Sequence, residues 1–151
     1  MNRRMTSGQL VVWRSLMDTT NDLRRVLGAR LLRETGLSPA DYQVLLALSE
    51  ADRRRLRSSE LADAVDWERS RLSHHLARME RRELIRRDEC ATDSRGAEVV
   101  LTEEGARRFR AATAPHLRAV REHFADALSA EQIDALAGIL GDLRQHLKGD
   151  A

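Results

Sequence analysis

"LADAVDWERSRLSHHLARMERRELIRR", residues 61–87, decides how the rest of the chain is read. Leu61, Ala62 and Val65 put three apolar groups on one side of a short helix, which Ser58 or Ser59 caps. Asp66 is the natural cap for a second helix over about 67–82, with Leu72, Leu76 and Met79 along one face. Only a residue or two separates the helices, which predicts a tight helix–turn–helix. Residues 67–87 also carry seven arginines and two adjacent histidines. An outer face that needed only to be soluble would not need so many guanidinium groups.

Downstream of this motif, "LIRRDECA" and "AEVVL" are strand-like and "TDSRG" between them is turn-like, so residues 84–101 predict a β-hairpin. Thr102-Glu103-Glu104 then opens another helix, and Pro115 should kink or split it near residue 114. Ser129-Ala130-Glu131-Gln132 is a capping box. Behind it Ile133, Leu136, Leu140, Leu143 and Leu147 step alternately by three and four residues, a seam suited to a partner helix or to an intramolecular bundle.

Upstream, Leu10, Trp13, Leu16, Met17, Leu23, Leu27 and Leu31 mark one face of a helix over 10–34 that Gly36 ends. Ser38-Pro39-Ala40-Asp41 starts the next, with a capping serine, proline at the first position and an acid in the first turn. Its apolar set is Tyr42, Leu45, Leu46 and Leu48, and "ADRRRLR", 51–57, reads as a charged loop.

At 151 residues the chain fits one domain with its own core. Its single cysteine, Cys90, allows no internal disulfide, and the start MNRRMTSGQL has no apolar signal core. No apolar run reaches the ~18 residues of a membrane span. The expectation is a cytoplasmic protein with no membrane partner. The net charge is only +2, but residues 53–95 hold twelve arginines against nine acids. Arginine is the side chain suited to paired hydrogen bonds with phosphate or guanine, although codon bias also enriches it. No phosphate loop, nucleophile elbow or zinc-binding His-Glu-x-x-His occurs, so an enzyme is not expected. No cofactor is implied.

The chain resembles a MarR-family transcription regulator over about residues 10–147. "LADAVDWERSRLSHHLARMERRELIRR" is similar to that family's helix–turn–helix, and "DSRGAEVVLTEEG" to its wing signature, through Asp93, Arg95, Leu101, Thr102 and Gly105. "LSAEQIDALAGILGDLRQHL" resembles its terminal dimerisation helix. The resemblance implies a mainly α fold with a small β-hairpin wing: a winged helix–turn–helix plus terminal dimerisation helices, compact as a whole. Residues 1–9 would be a tail, 10–36 and 103–147 the dimerisation helices, and 38–102 the DNA-binding lobe. Asp66 and Glu83 stand where the family usually has glycine, at sites where glycine eases a positive φ.

A helix–turn–helix lays its second helix in the major groove with its first turns at base edges. Here those turns expose Arg69, Ser70, Arg71, Ser73 and His74, and Arg78 lies nearer the backbone. The resemblance sends Arg95 into the minor groove, with Asp93 supporting the wing. It also implies a homodimer on a pseudo-palindromic operator of double-stranded DNA, acting as a repressor and released by a small aromatic effector. The rare aromatics Trp13, Tyr42 and Trp67 are candidates for that effector's pocket, against core packing for each. Cys90 is more simply inert than a redox sensor. His116 and His123 share a helix face, but with no second cysteine no metal site is expected. The alternatives are a helical module that offers its Arg-rich face to an acidic protein, and a metal-sensing winged-helix regulator.

Overall fold

The computed structural model describes residues 4–89 and 96–149. They form α1 (Ser7–Thr35), α2 (Pro39–Glu50), a 3₁₀ turn (Asp52–Arg54), β1 (Arg55–Arg57), α3 (Ser58–Val65) and α4 (Arg69–Arg81). β2 (Ile85–Glu89), β3 (Ala97–Leu101), α5 (Glu103–His123), a second 3₁₀ turn (Ala125–Ala127) and α6 (Ala130–Gly149) follow. The fold is mainly α with a small antiparallel sheet. The chain divides into two units, Gly28–His116 and Met1–Leu27 with Leu117–Ala151.

The unit Gly28–His116 is built on one apolar core. Leu31, Leu37, Val44, Leu45, Leu48, Leu61, Leu72, Leu76 and Met79 are buried together with Ile85, Val99 and Leu101. On α2 the buried positions are Val44, Leu45 and Leu48, whereas Leu46 is exposed, one position off the expected set. Ser38 caps α2 as expected, and Asp41 makes the cap reciprocal: the Asp41 N–H donates to the Ser38 hydroxyl at 3.0 Å and the Ser38 N–H to the Asp41 carboxylate at 2.9 Å.

The stretch 51–57 is not merely a loop. Arg53 and Arg54 take positive φ, 52° and 55°, which turns the chain into β1. β1 pairs with β3 (Leu56 opposite Val99), and β2 pairs with β3 from the other side (Ile85 opposite Leu101), giving the order β1-β3-β2. A run of four arginines around a single leucine gave no alternation from which to predict a strand.

The helix–turn–helix is α3 and α4, and its caps differ from expectation. Asp66 does not start α4; it ends α3 in the left-handed conformation (φ 55°, ψ 49°), with its N–H on the carbonyls of Ala62 and Asp63. α4 begins two residues later, after Glu68. Ser58 does not cap α3 either. Its hydroxyl donates to the carbonyl of Ala97 at 3.0 Å, tying α3 to β3, while the Arg57 N–H donates to the Glu60 carboxylate.

Glu83 also has positive φ, 60°. Both departures from glycine therefore sit where glycine is favoured. Asp tolerates this conformation better than Glu, and the contacts of Glu83 are backbone ones, from its N–H to Glu80 and from the Thr102 hydroxyl to its carbonyl. Glu83→Gly is expected to stabilise the protein by about 0.5–1 kcal/mol, the relief of strain being partly offset by a freer unfolded chain. A urea midpoint that stays put or falls would contradict this.

Pro115 does not split α5, which runs unbroken through it. The carbonyl that loses its helical donor is that of Ala111, an exposed residue whose carbonyl water can serve.

In the other unit, α6 has no buried residue. Val11 (67% exposed), Val12, Leu117, Ile139 (63%) and Leu147 (61%) are open in the single chain. The Ser129–Gln132 capping box is present. Among the described residues no helix is long and apolar enough to cross a membrane.

Candidate nucleic-acid interface

α4 separates its faces sharply. Leu72, His75, Leu76 and Met79 are buried, and Arg69, Ser70, Arg71, Ser73, His74 and Arg78 are exposed. The five residues expected at base edges thus share the open face of the helix's first two turns. Among the described residues, Arg69 and Arg71 have no carboxylate partner, whereas Arg86 and Arg87 pair with Asp88 and Glu80. Two guanidinium groups outside any such ion pair, though Asp63, Asp66 and Glu68 line one hollow with them, suit a polyanion.

Arg71 is held by a ring. Its guanidinium carbon lies 4.3 Å from the centroid of the Trp67 ring. Trp67 is half-buried, packs on the core, and meets His75 edge-on at 5.5 Å and 79°. His75 is only 8% exposed. Its Nδ1 accepts from Nη2 of Arg78 at 3.0 Å, since a guanidinium only donates, so the ring proton belongs on Nε2. Nε2 lies 3.0 Å from Oδ1 of Asp41, although the N–H is not well aligned on that oxygen.

Asp41 is 2% exposed. Arg82 donates to its Oδ2 at 2.7 Å and to the carbonyl of Gly36 at 3.0 Å. Burial alone would push the Asp41 carboxyl up. The contacts from His75, Arg82 and the Ser38 N–H outweigh it and hold the group far below the usual carboxylate range. Asp41 thereby fastens α4 to the start of α2.

A cleft of about 470 Å³ opens between α3, α4 and the sheet. Arg57, Ser58, Ser59, Arg69, Ser73 and Arg87 line it with Gly96 and Ala97, and no carboxylate is among the lining residues described. The α3 N-terminus, the positive end of that helix, borders it. Sequence reading missed Arg57, Ser59 and Arg87 because the Ser58–Ala97 bond that closes the cleft joins residues 39 apart.

Arg95, Asp93 and Cys90 lie outside the described residues, so their expected roles have no geometry here. The three aromatics proposed for an effector pocket have different surroundings. Tyr42 lies against Phe109 (5.1 Å) and His116 (4.6 Å), and Trp67 against Arg71 and His75. Trp13, half exposed, belongs to the other unit. Among the described residues no group of three or more His, Cys, Asp or Glu could hold a metal ion.

Known proteins share this fold. The MarR family model matches residues 35–96. The fold superposes with a TM-score of 0.86 on AbsC, a MarR family transcriptional regulator from Streptomyces coelicolor, at 37% identity over 98% of this chain and 99% of that one. The chain belongs to the MarR family.

Sco3205, a MarR family transcriptional regulator from the same organism whose structure is a complex with DNA, gives the same TM-score and identity over 96% of this chain and 91% of that one. Transcriptional regulator HosA of Escherichia coli O157:H7 is 38% identical over 64% of this chain and 69% of its own length. The MarR wing signature has a physical basis in this chain. The Thr102 hydroxyl lies 2.6 Å and 3.0 Å from the carbonyls of Glu83 and Leu84, and accepts from the Gly105 N–H at 2.9 Å. One side chain thereby closes the hairpin's base and caps α5.

Proposed function

We propose that this protein is a homodimeric, sequence-specific DNA-binding repressor rather than an enzyme. The single observation that carries the reading is the exposed face of α4, with Arg69 and Arg71 open to solvent on a helix whose opposite face is locked in the core. Arg69, Ser70, Arg71, Ser73 and His74 read base edges in the major groove. Arg78 and the cleft of Arg57, Ser58, Ser59 and Arg87 hold backbone phosphates, and Arg95 enters the minor groove with Asp93 supporting the wing. Residues 38–102 are the DNA-binding lobe. The segments 10–36 and 103–147 pair with a second copy, which covers the apolar side chains left open on α1 and α6. The operator is then a pseudo-palindrome. Repression follows when that site overlaps a promoter, since a bound dimer excludes polymerase. The DNA-bound structure of Sco3205, 37% identical, supports the DNA partner.

Arg71→Ala is expected to weaken operator binding by about 1–3 kcal/mol, roughly fivefold to 150-fold, and to relax preference at one base pair. Unchanged affinity and preference would overturn the assignment. Arg95→Ala should instead lose protection in AT-rich flanks, seen by footprinting. Sedimentation should give a dimer, and Leu143→Glu a monomer with weakened operator binding; a wild-type monomer that binds DNA fully would remove the dimer from the reading.

A small aromatic effector has one supporting observation. Nδ1 of His116 is buried with no hydrogen-bond partner among the described residues, its ring lies against Tyr42, and burial pushes its pKa down. A phenol could donate to that nitrogen. Release of bound DNA by phenolic compounds, lost in His116→Phe, tests this.

A further inference from the structure

We propose that Trp67 is a positioning residue for Arg71 and so sets base specificity without touching a base. This rests on the reading of Arg71 as a base contact. A free arginine side chain on an exposed helix face samples many rotamers, and ordering it at a base edge opposes binding. Here the guanidinium is already placed, 4.3 Å from the Trp67 ring centroid. The contact uses the cation's charge and none of its N–H groups, so the donors stay available for a base edge.

The platform is itself fixed. Trp67 packs on the core, its backbone N–H donates to the Ala62 carbonyl at 3.0 Å, and its ring meets the buried His75. His75 also accepts from Arg78 and faces Asp41 on α2. Half-buried Trp67 and buried His75 therefore orient two arginines, Arg71 and Arg78.

The test uses the full chain and two duplexes. One is the tightest binder that the wild type selects from a randomised library; the other is a scrambled version of it. Trp67→Leu keeps an apolar side chain and removes the ring, and Trp67→Phe restores a ring. Trp67→Leu is expected to bind the selected duplex about tenfold more weakly, with binding to the scrambled duplex within twofold of wild type. Trp67→Phe should recover most of the loss. Trp67→Leu/Arg71→Ala should be no worse on the selected duplex than Arg71→Ala alone. Melting temperatures separate positioning from packing. If Arg71→Ala loses preference while Trp67→Leu keeps it, the positioning role is wrong and the base contact stands. If Arg71→Ala keeps full preference, the base contact itself is wrong. If Trp67→Leu melts early and weakens on both duplexes alike, and Trp67→Phe restores neither, Trp67 only packs and the proposal fails.

Discussion

An alanine at position 105 is expected to destabilise the protein by about 3 kcal/mol or more, the largest effect of any single methyl group we foresee. A Cβ built on Gly105 would lie 2.0 Å from the carbonyl oxygen of Leu84 and 2.9 Å from its carbonyl carbon and from Cδ1 of Leu101. A flexible side chain can swing away from such a clash; a backbone carbonyl cannot. That carbonyl also receives the Thr102 N–H at 3.3 Å and lies 3.0 Å from the Thr102 hydroxyl. To make room, α5 must move off the first residues of β2, and the hairpin base moves with it. The expected result is a lower urea midpoint with weakened operator binding. A Gly105→Ala protein with wild-type stability would show that the approach of α5 to Leu84 is looser than described.

Asp41→Ala is expected to destabilise the fold by about 2–3 kcal/mol, at the low end for a buried charge pair because Arg82 keeps partial access to water. His75 and the Ser38 N–H lose their acceptor at the same time. The folded Asp41 carboxyl titrates far below the usual range and the unfolded one near ~3.9. A depressed folded pKa stabilises the native state above the unfolded value, and that stabilisation is lost as pH falls. Wild-type stability should therefore decline progressively below about pH 4, and Asp41→Asn should show a flatter acid limb. Equal acid slopes would mean that Asp41 is not ionised against His75 and Arg82 in the fold. Because Asp41 joins α2 to α4, operator affinity should fall with it.

The two faces of α4 were legible in the sequence because its burial is local. Leu72, Leu76 and Met79 set the phase, and the phase alone exposes Arg69, Arg71, Ser73 and His74. The serine cap at Ser38 and the capping box at Ser129 were legible for the same reason. Asp41 was legible only as an acid in the first turn of α2: its further role depends on Arg82, 41 residues away. The positive φ at Asp66 and Glu83 could be anticipated from glycine's place in similar proteins, but not the consequence that Asp66 ends α3 instead of starting α4. β1 was hidden because a three-residue strand between arginines has no pattern until β3 is beside it. Trp67 and Tyr42 were seen as rare aromatics, and nothing local indicated that one would carry a cation and the other lie against a histidine.

The measurement that bears most directly on the function is a fluorescence anisotropy titration at about 150 mM salt. The probe is the duplex just upstream of the protein's own gene, with a scrambled duplex of equal length as control. Sequence-specific regulation predicts a preference of about 10³-fold or more for the native duplex, with affinity falling steeply as salt rises. Equal, weak binding to both, repeated with duplexes selected from a random library, would contradict it and assign the arginine face of α4 to an acidic protein partner.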